Sequence, residues 1–188
     1  MSLVIAYLTP DFSVMSGDIR RVHVEDHDIY FDDSPKVFKI NSKVSIGMTG
    51  DRKVTLDLID HLKNKDLRKC TINAVSRICR KWLLENSKSD TMQTVIISGL
   101  ADDNKIAAIT LKHEDCYKLH IQKSAEGNIF WRVAYGNINP VPFIEKELSE
   151  LDAISPGVCE GLAKRVNGSV SISDNFVSKQ STVITIYK

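Results

Sequence analysis

The chain has 188 residues, 43% of them hydrophobic and 26% charged, with a formal net charge of +1. That length builds one medium domain with its own core, and the charge balance argues against a nucleic-acid binder working through net charge. No apolar run approaches the roughly 20 residues of a membrane helix, and the first residues lack the basic n-region and small-residue cleavage site of a secretory signal.

From the N-terminus, Leu3 to Leu8 is a mostly apolar run, Thr9-Pro10-Asp11 a turn and Phe12 to Met15 a second run. Together they predict a hairpin ending at Ser16-Gly17-Asp18. The charged stretch RRVHVEDHDIYFDDSP that follows has too little periodicity to assign. KVFKI and KVSIGM nearly alternate around Asn41-Ser42 and predict a second hairpin. Helical stripes come next: Val54, Leu58, Ile59 and Leu62, then Val75, Ile78, Cys79, Trp82 and Leu83, with Thr71 or Asn73 placed to cap the second. TVIIS, KIAAITLK, YKLHI and IFWRVAYG return to strand patterns. Two more helices are predicted, from about Val141 to Leu151 and from Ile154 to Val166, the latter ending at Asn167-Gly168 as a C-cap. SVSIS and TVITIY close the chain as strands.

The order ββββ, αα, ββββ, αα, ββ predicts an α+β fold: a four-layer αββα sandwich of two largely antiparallel sheets, with residues 1–188 as a single domain. Four cysteines, Cys70, Cys79, Cys116 and Cys159, show no CxxC spacing. That is the usage of free thiols in a reducing compartment, so a cytoplasmic location is expected. His23 and His27 flank Glu25 and Asp26 at a spacing that would suit a metal on a helix. In extended chain, at roughly 3.3 Å per residue, they stand more than ~13 Å apart, and the segment reads as a solvated loop. Trp82 and Trp131 read as packing residues, and Cys116 has no evident base.

Taken singly, several N-terminal residues are unremarkable. Asp18 and Arg20 pass for a turn residue and a surface charge, Lys36 for an edge-strand charge, and Gly50 for relief at a strand-to-helix turn. Their combination is more specific. An apolar strand after Ser2, a second strand reaching Gly17-Asp18-Ile19-Arg20, Lys36 heading KVFKI, and IGMTGD opening the first helix at Asp51 follow one another in a fixed order. In this the chain resembles proteasome-type subunits of the N-terminal nucleophile (Ntn) hydrolases, the proteasome β subunits and the related HslV. VIISGLADDNKIAAITLKHED and WRVAYGN extend the resemblance over most of the chain.

The resemblance implies an N-terminal serine hydrolase that cleaves amide bonds. Ser2 is the implied nucleophile once Met1 has been removed, which a small second residue favours. Its free α-amine, with an ordinary pKa of about 7.7–8.0, would serve as base. Lys36 would favour the neutral amine and the developing alkoxide, Asp18 would hold Lys36 charged and oriented, and Arg20 would join that network. The Gly50 N–H would face the oxyanion. The implied enzyme needs no cofactor and no propeptide.

Two positions depart from the family pattern. Asn137 stands where a serine follows the glycine before the third helix, and Ser169 stands where a supporting aspartate is usual. The C-terminal segment is closer to HslV, in which carbonyls of a turn hold a cation; Gly168, Ser171 and Asp174 are the equivalents here. Implied partners are a peptide or amide substrate, further copies of the chain in a ring, and an unfoldase; nucleic acid and membrane are not expected. Two other readings share the fold: a catalytically silent assembly or binding subunit, and an amidohydrolase acting on a small metabolite.

Overall fold

The computed structural model describes residues 2–23, 29–87 and 92–188. Strand β1 (Leu3–Leu8) is covered on both faces, which is why its sequence is apolar without alternation. Val4, Ala6 and Leu8 enter one core, while Leu3, Ile5 and Tyr7 enter another. Thr9 closes the turn, its N–H and Oγ1 both donating to the Phe12 carbonyl at 3.0 Å. Strand β2 (Phe12–Asp18) then returns antiparallel, with Val4 opposite Gly17.

The stretch without periodicity contains a short antiparallel ribbon of β3 (Arg20–Val22) and β4 (Tyr30–Asp32). Charge pairing and stacking hold it rather than an apolar face. Arg20 grips Asp32 and Arg21 grips Asp33, each through two hydrogen bonds, and their guanidinium groups lie 3.8 Å and 4.1 Å from the Tyr30 and Phe31 ring centres. Glu25, Asp26 and His27 lie outside the described residues.

Strands β5 (Val37–Lys39) and β6 (Val44–Thr49) form the second hairpin. Helix α1 (Arg52–Lys63) starts at Asp51, whose carboxylate accepts the N–H groups of Lys53 and Val54. Helix α2 (Ile72–Asn86) starts at Thr71, which makes no side-chain cap; its hydroxyl donates to Asp102 instead. Strands β7 (Thr94–Leu100), β8 (Ile106–Lys112), β9 (His120–Lys123) and β10 (Phe130–Tyr135) follow, then helices α3 (Val141–Ser149) and α4 (Pro156–Ser173), and strand β11 (Ser181–Tyr187).

The strands pair in the orders β10-β1-β2-β11 and β5-β6-β7-β8-β9, antiparallel throughout. Val4, Ala6, Leu8 and Met15 meet Val37, Ile96, Ile106 and Ala108 between the sheets. Helices α1 and α2 cover the five-stranded sheet, and α3 and α4 cover the other. This is the αββα sandwich that the element order predicts.

The C-terminal third differs from expectation. Helix α4 does not end at Asn167-Gly168 but runs to Ser173, so SVSIS is helix and not strand. The buried series Leu162, Val166 and Val170 continues the i+4 stripe across the supposed cap. Asn167 is itself buried, its Nδ2 donating to the carbonyls of Ser178 (2.6 Å) and Lys179 (3.1 Å). The polar residue that suggested a helix end is a tether for the loop beyond it.

Candidate active site

Ser2 directly precedes β1 and is buried. The next residue fixes it: the Leu3 N–H donates to Asp18 Oδ1 at 2.8 Å. Asp18 has no exposed surface, and its Oδ2 accepts the Arg20 N–H at 2.9 Å. The Ser178 N–H, in the loop that Asn167 tethers, also favours the charged carboxylate. Burial nevertheless outweighs these contacts and the nearby Lys36 ammonium, and it pushes the Asp18 carboxyl above its ordinary range.

Lys36 precedes β5 and is nearly buried. It fits there because Gly17 lacks a Cβ; one built at that position would come within 2.9 Å of both Lys36 Cβ and Val37 Cγ1. Its Nζ donates to the carbonyls of Arg20 (2.5 Å) and Ser34 (3.0 Å), which uses two of the three N–H groups of an ammonium. Burial pushes the Lys36 amine down, partly offset by the Asp18 charge.

Arg20 therefore joins this network through its backbone and not its side chain. Its N–H reaches Asp18 and its carbonyl receives Lys36, while its guanidinium holds Asp32 and the Asn175 carbonyl at 2.7 Å. Orientation of Lys36 comes from two carbonyls, with Asp18 acting on it through space. Arg20 thus joins the network as expected, through its main chain, and the one correction is that two carbonyls, not Asp18, orient Lys36.

Gly50 turns the chain from β6 into α1 with φ of +118°, in the region that favours glycine. A Cβ there would lie 2.1 Å from the Met92 carbonyl oxygen and 2.5 Å from Gln93 Oε1. Gln93 is buried and braces the turn: its Oε1 accepts the Asp51 N–H at 2.9 Å, and its Nε2 donates to Thr55 Oγ1 at 3.2 Å. Sequence reasoning missed Gln93, which has no motif around it.

Two cavities meet at this point. One, of about 670 Å³, lies between the β3–β4 ribbon and the start of α1, lined by Arg20, Arg21, Lys36, Arg52 and Phe176 among others. The second, of about 510 Å³, includes Gln93, His113, Tyr135 and Gly136. Ser2 and Gly50 line both, and no other described residue does. The structure thus brings Ser2, Lys36 and Gly50 to one place, with Asp18 behind them.

No protein-family model and no curated protein matches this chain. Among solved structures, the crystal structure of eukaryotic HslV from Trypanosoma brucei is similar over 99% of this chain and 99% of its own, with a TM-score of 0.65 at 14% identity. The fold is that of HslV. The proteasome-like fold that the resemblance implies is therefore present, and at this identity the likeness concerns the path of the backbone.

The remaining expected positions in this HslV-type fold stand apart from the cavities. Asn137 is exposed, beside Gly136. Ser169 lies inside α4, so the supporting place beside Asp18 belongs to Ser178, nine residues further on. The extension of α4 removes the turn on which a cation site was expected. The Gly168 carbonyl accepts the Ser171 hydroxyl at 2.7 Å, and the Asp174 carboxylate accepts the Phe176 N–H at 2.9 Å. No step is derived through a cation. All four cysteines are free: Cys79 and Cys159 are buried with thiols pushed up to about 12 and about 11, and Cys116 is exposed. Among the described residues no helix is long and apolar enough to cross a membrane.

Proposed function

We propose that this chain is an N-terminal serine amidohydrolase of the HslV and proteasome type, cleaving an amide bond in a peptide or small molecule. The observation that carries the reading is Ser2 as a shared wall of both cavities, beside Gly50. An amide lying across that wall would have its acyl group in one cavity and its leaving group in the other.

After removal of Met1, the Ser2 hydroxyl gives its proton to the Ser2 α-amine as its oxygen attacks the carbonyl carbon. The Gly50 N–H meets the oxyanion, and the protonated α-amine returns its proton to the departing amine, leaving an ester on Ser2. Water attacks the ester by the same proton path and frees the acid. Lys36 has one N–H beyond its two carbonyl bonds, and its charge favours both the neutral α-amine and the alkoxide. Self-association into a ring and a cytoplasmic location accompany this reading. Exposed Leu119 and Ile121, on or beside edge strand β9, are surfaces that assembly would cover.

The test is the intact mass of untagged protein, before and after an acylating probe. Loss of one methionine followed by one adduct that disappears in Ser2→Ala supports the reading. Retained Met1 leaves the base blocked as an amide and favours a silent binding subunit.

A further inference from the structure

The larger cavity is cationic in an uneven way. Arg20, Arg21, Lys36 and Arg52 line it, and among the described residues Asp51 is the sole carboxylate in the lining. Three of the cations have counter-charges of their own. Arg20 holds Asp32, Arg21 holds Asp33, and Lys36 lies in the field of Asp18. The Asp51 carboxylate is committed to the first N–H groups of α1.

Arg52 differs from the others. Among the described residues it has no ion pair within 4.0 Å, and its one side-chain bond is a long contact, Nε to Ser34 Oγ at 3.4 Å. Asp33 feels its charge, but both oxygens of Asp33 are taken by Arg21. A guanidinium presents a planar fork suited to a carboxylate, and here its terminal groups are uncommitted. Arg52 also sits two residues after Gly50, on the same braced turn, so its position is tied to that of the reacting wall.

We infer that this cavity selects ligands carrying a carboxylate near the amide to be cleaved, with Arg52 binding that carboxylate. The inference rests on the cavity being the substrate site proposed above, and it names the substrate class. Ser34 links selection to chemistry: its hydroxyl accepts from Arg52 and its carbonyl accepts from Lys36. The Arg52 charge opposes that of Lys36, so a carboxylate on Arg52 relieves the opposition and favours the Lys36 ammonium when an acidic ligand is in place.

The experiment is a binding titration of the Ser2→Ala variant, which holds ligands without turning them over. The probes are N-acetyl-glutamate α-amide and N-acetyl-glutamine α-amide, which match in shape and differ in charge. The acidic probe should bind about tenfold more tightly, the usual worth of a charge-assisted bond, and the gap should shrink with added salt. Arg52→Gln should abolish the gap with no change in unfolding midpoint, and Arg52→Glu should move the preference to N-acetyl-lysine α-amide. Equal binding of the first pair, binding of neither, or a preference that survives Arg52→Gln overturns the inference. Failure of the catalytic reading shows separately, as no acyl adduct on the unmutated protein, and leaves the binding difference intact.

Discussion

Replacing Gly50 by alanine tests the turn on which the site is built. Two costs add. A non-glycine residue at φ of +118° carries backbone strain of about 1–3 kcal/mol. The new methyl would also lie 2.1 Å from the Met92 carbonyl oxygen, so the Met92-Gln93 backbone must move by about an ångström to reach ordinary contact. That shift pulls Gln93 Oε1 off the Asp51 N–H, leaving a donor unmet at about 1 kcal/mol. The sum is about 3 kcal/mol, within the 5–15 kcal/mol of a typical domain, so the variant stays folded. Equilibrium urea unfolding should show a midpoint lowered by about 1–2 M with an unchanged slope. In protein that has lost Met1, acylation of Ser2 by the probe should slow by about 10²-fold, because the proposed oxyanion donor is displaced. A variant with wild-type midpoint and wild-type acylation refutes the argument at its root, since it shows that the turn accepts a side chain.

Gly168→Ala distinguishes a continuous α4 from one capped at Asn167-Gly168. Inside the helix, with nothing within 4 Å of the new methyl, it should raise stability by about 1 kcal/mol, whereas at a left-handed cap it would lower stability by a similar amount; thermal unfolding reads the sign. Tyr7→Phe removes a buried hydroxyl without a hydrogen-bond partner among the described residues, so stability should hold or rise by up to about 1 kcal/mol, and a loss above that amount in urea contradicts the packing described. Lys36→Met carries a pH signature. Because burial lowers the native Lys36 pKa, the unfolded chain binds its proton more tightly than the native state does. Wild-type stability relative to Lys36→Met should therefore rise between neutral pH and about pH 10, and a flat or falling difference excludes a buried ammonium.

Elements with one dominant physical cause were legible in the sequence. Strand β1 reads directly because both of its faces are buried, and α1 reads from Asp51 and the stripe Leu58, Ile59 and Leu62. The β3–β4 ribbon was not legible, since arginine–aspartate pairs and stacking on Tyr30 and Phe31 replace the alternation that marks a strand. The end of α4 was misread because Asn167 and Gly168 are helix stoppers by propensity, and the buried tether from Asn167 to the 178–179 carbonyls overrides that preference. In the site, Ser2, Lys36 and Gly50 were placed by spacing against a known pattern. Gln93 and Ser178 act through a side-chain brace and a backbone N–H, and neither leaves a mark in a single sequence.

Those two residues also explain how separate parts of the chain meet at the wall shared by the two cavities. Ser2 is positioned from behind, by an Asp18 carboxylate that gathers N–H groups from Leu3 and Arg20 and is supported by Ser178. Gly50 is positioned from the side, by a glutamine on the neighbouring strand lead-in. Lys36 is held by carbonyls on either side of the ribbon, so its charge is fixed in place without an ion pair among the described residues. The charges proposed for catalysis and for selection are then separable. Lys36 is nearly buried and bonded to two carbonyls, whereas Arg52, at the start of α1, is exposed. A substitution at Arg52 should accordingly change which ligand binds and leave the Ser2, Lys36 and Gly50 geometry unaltered, while a substitution at Gln93 should disturb Gly50 and Arg52 together because both ride on the turn it braces.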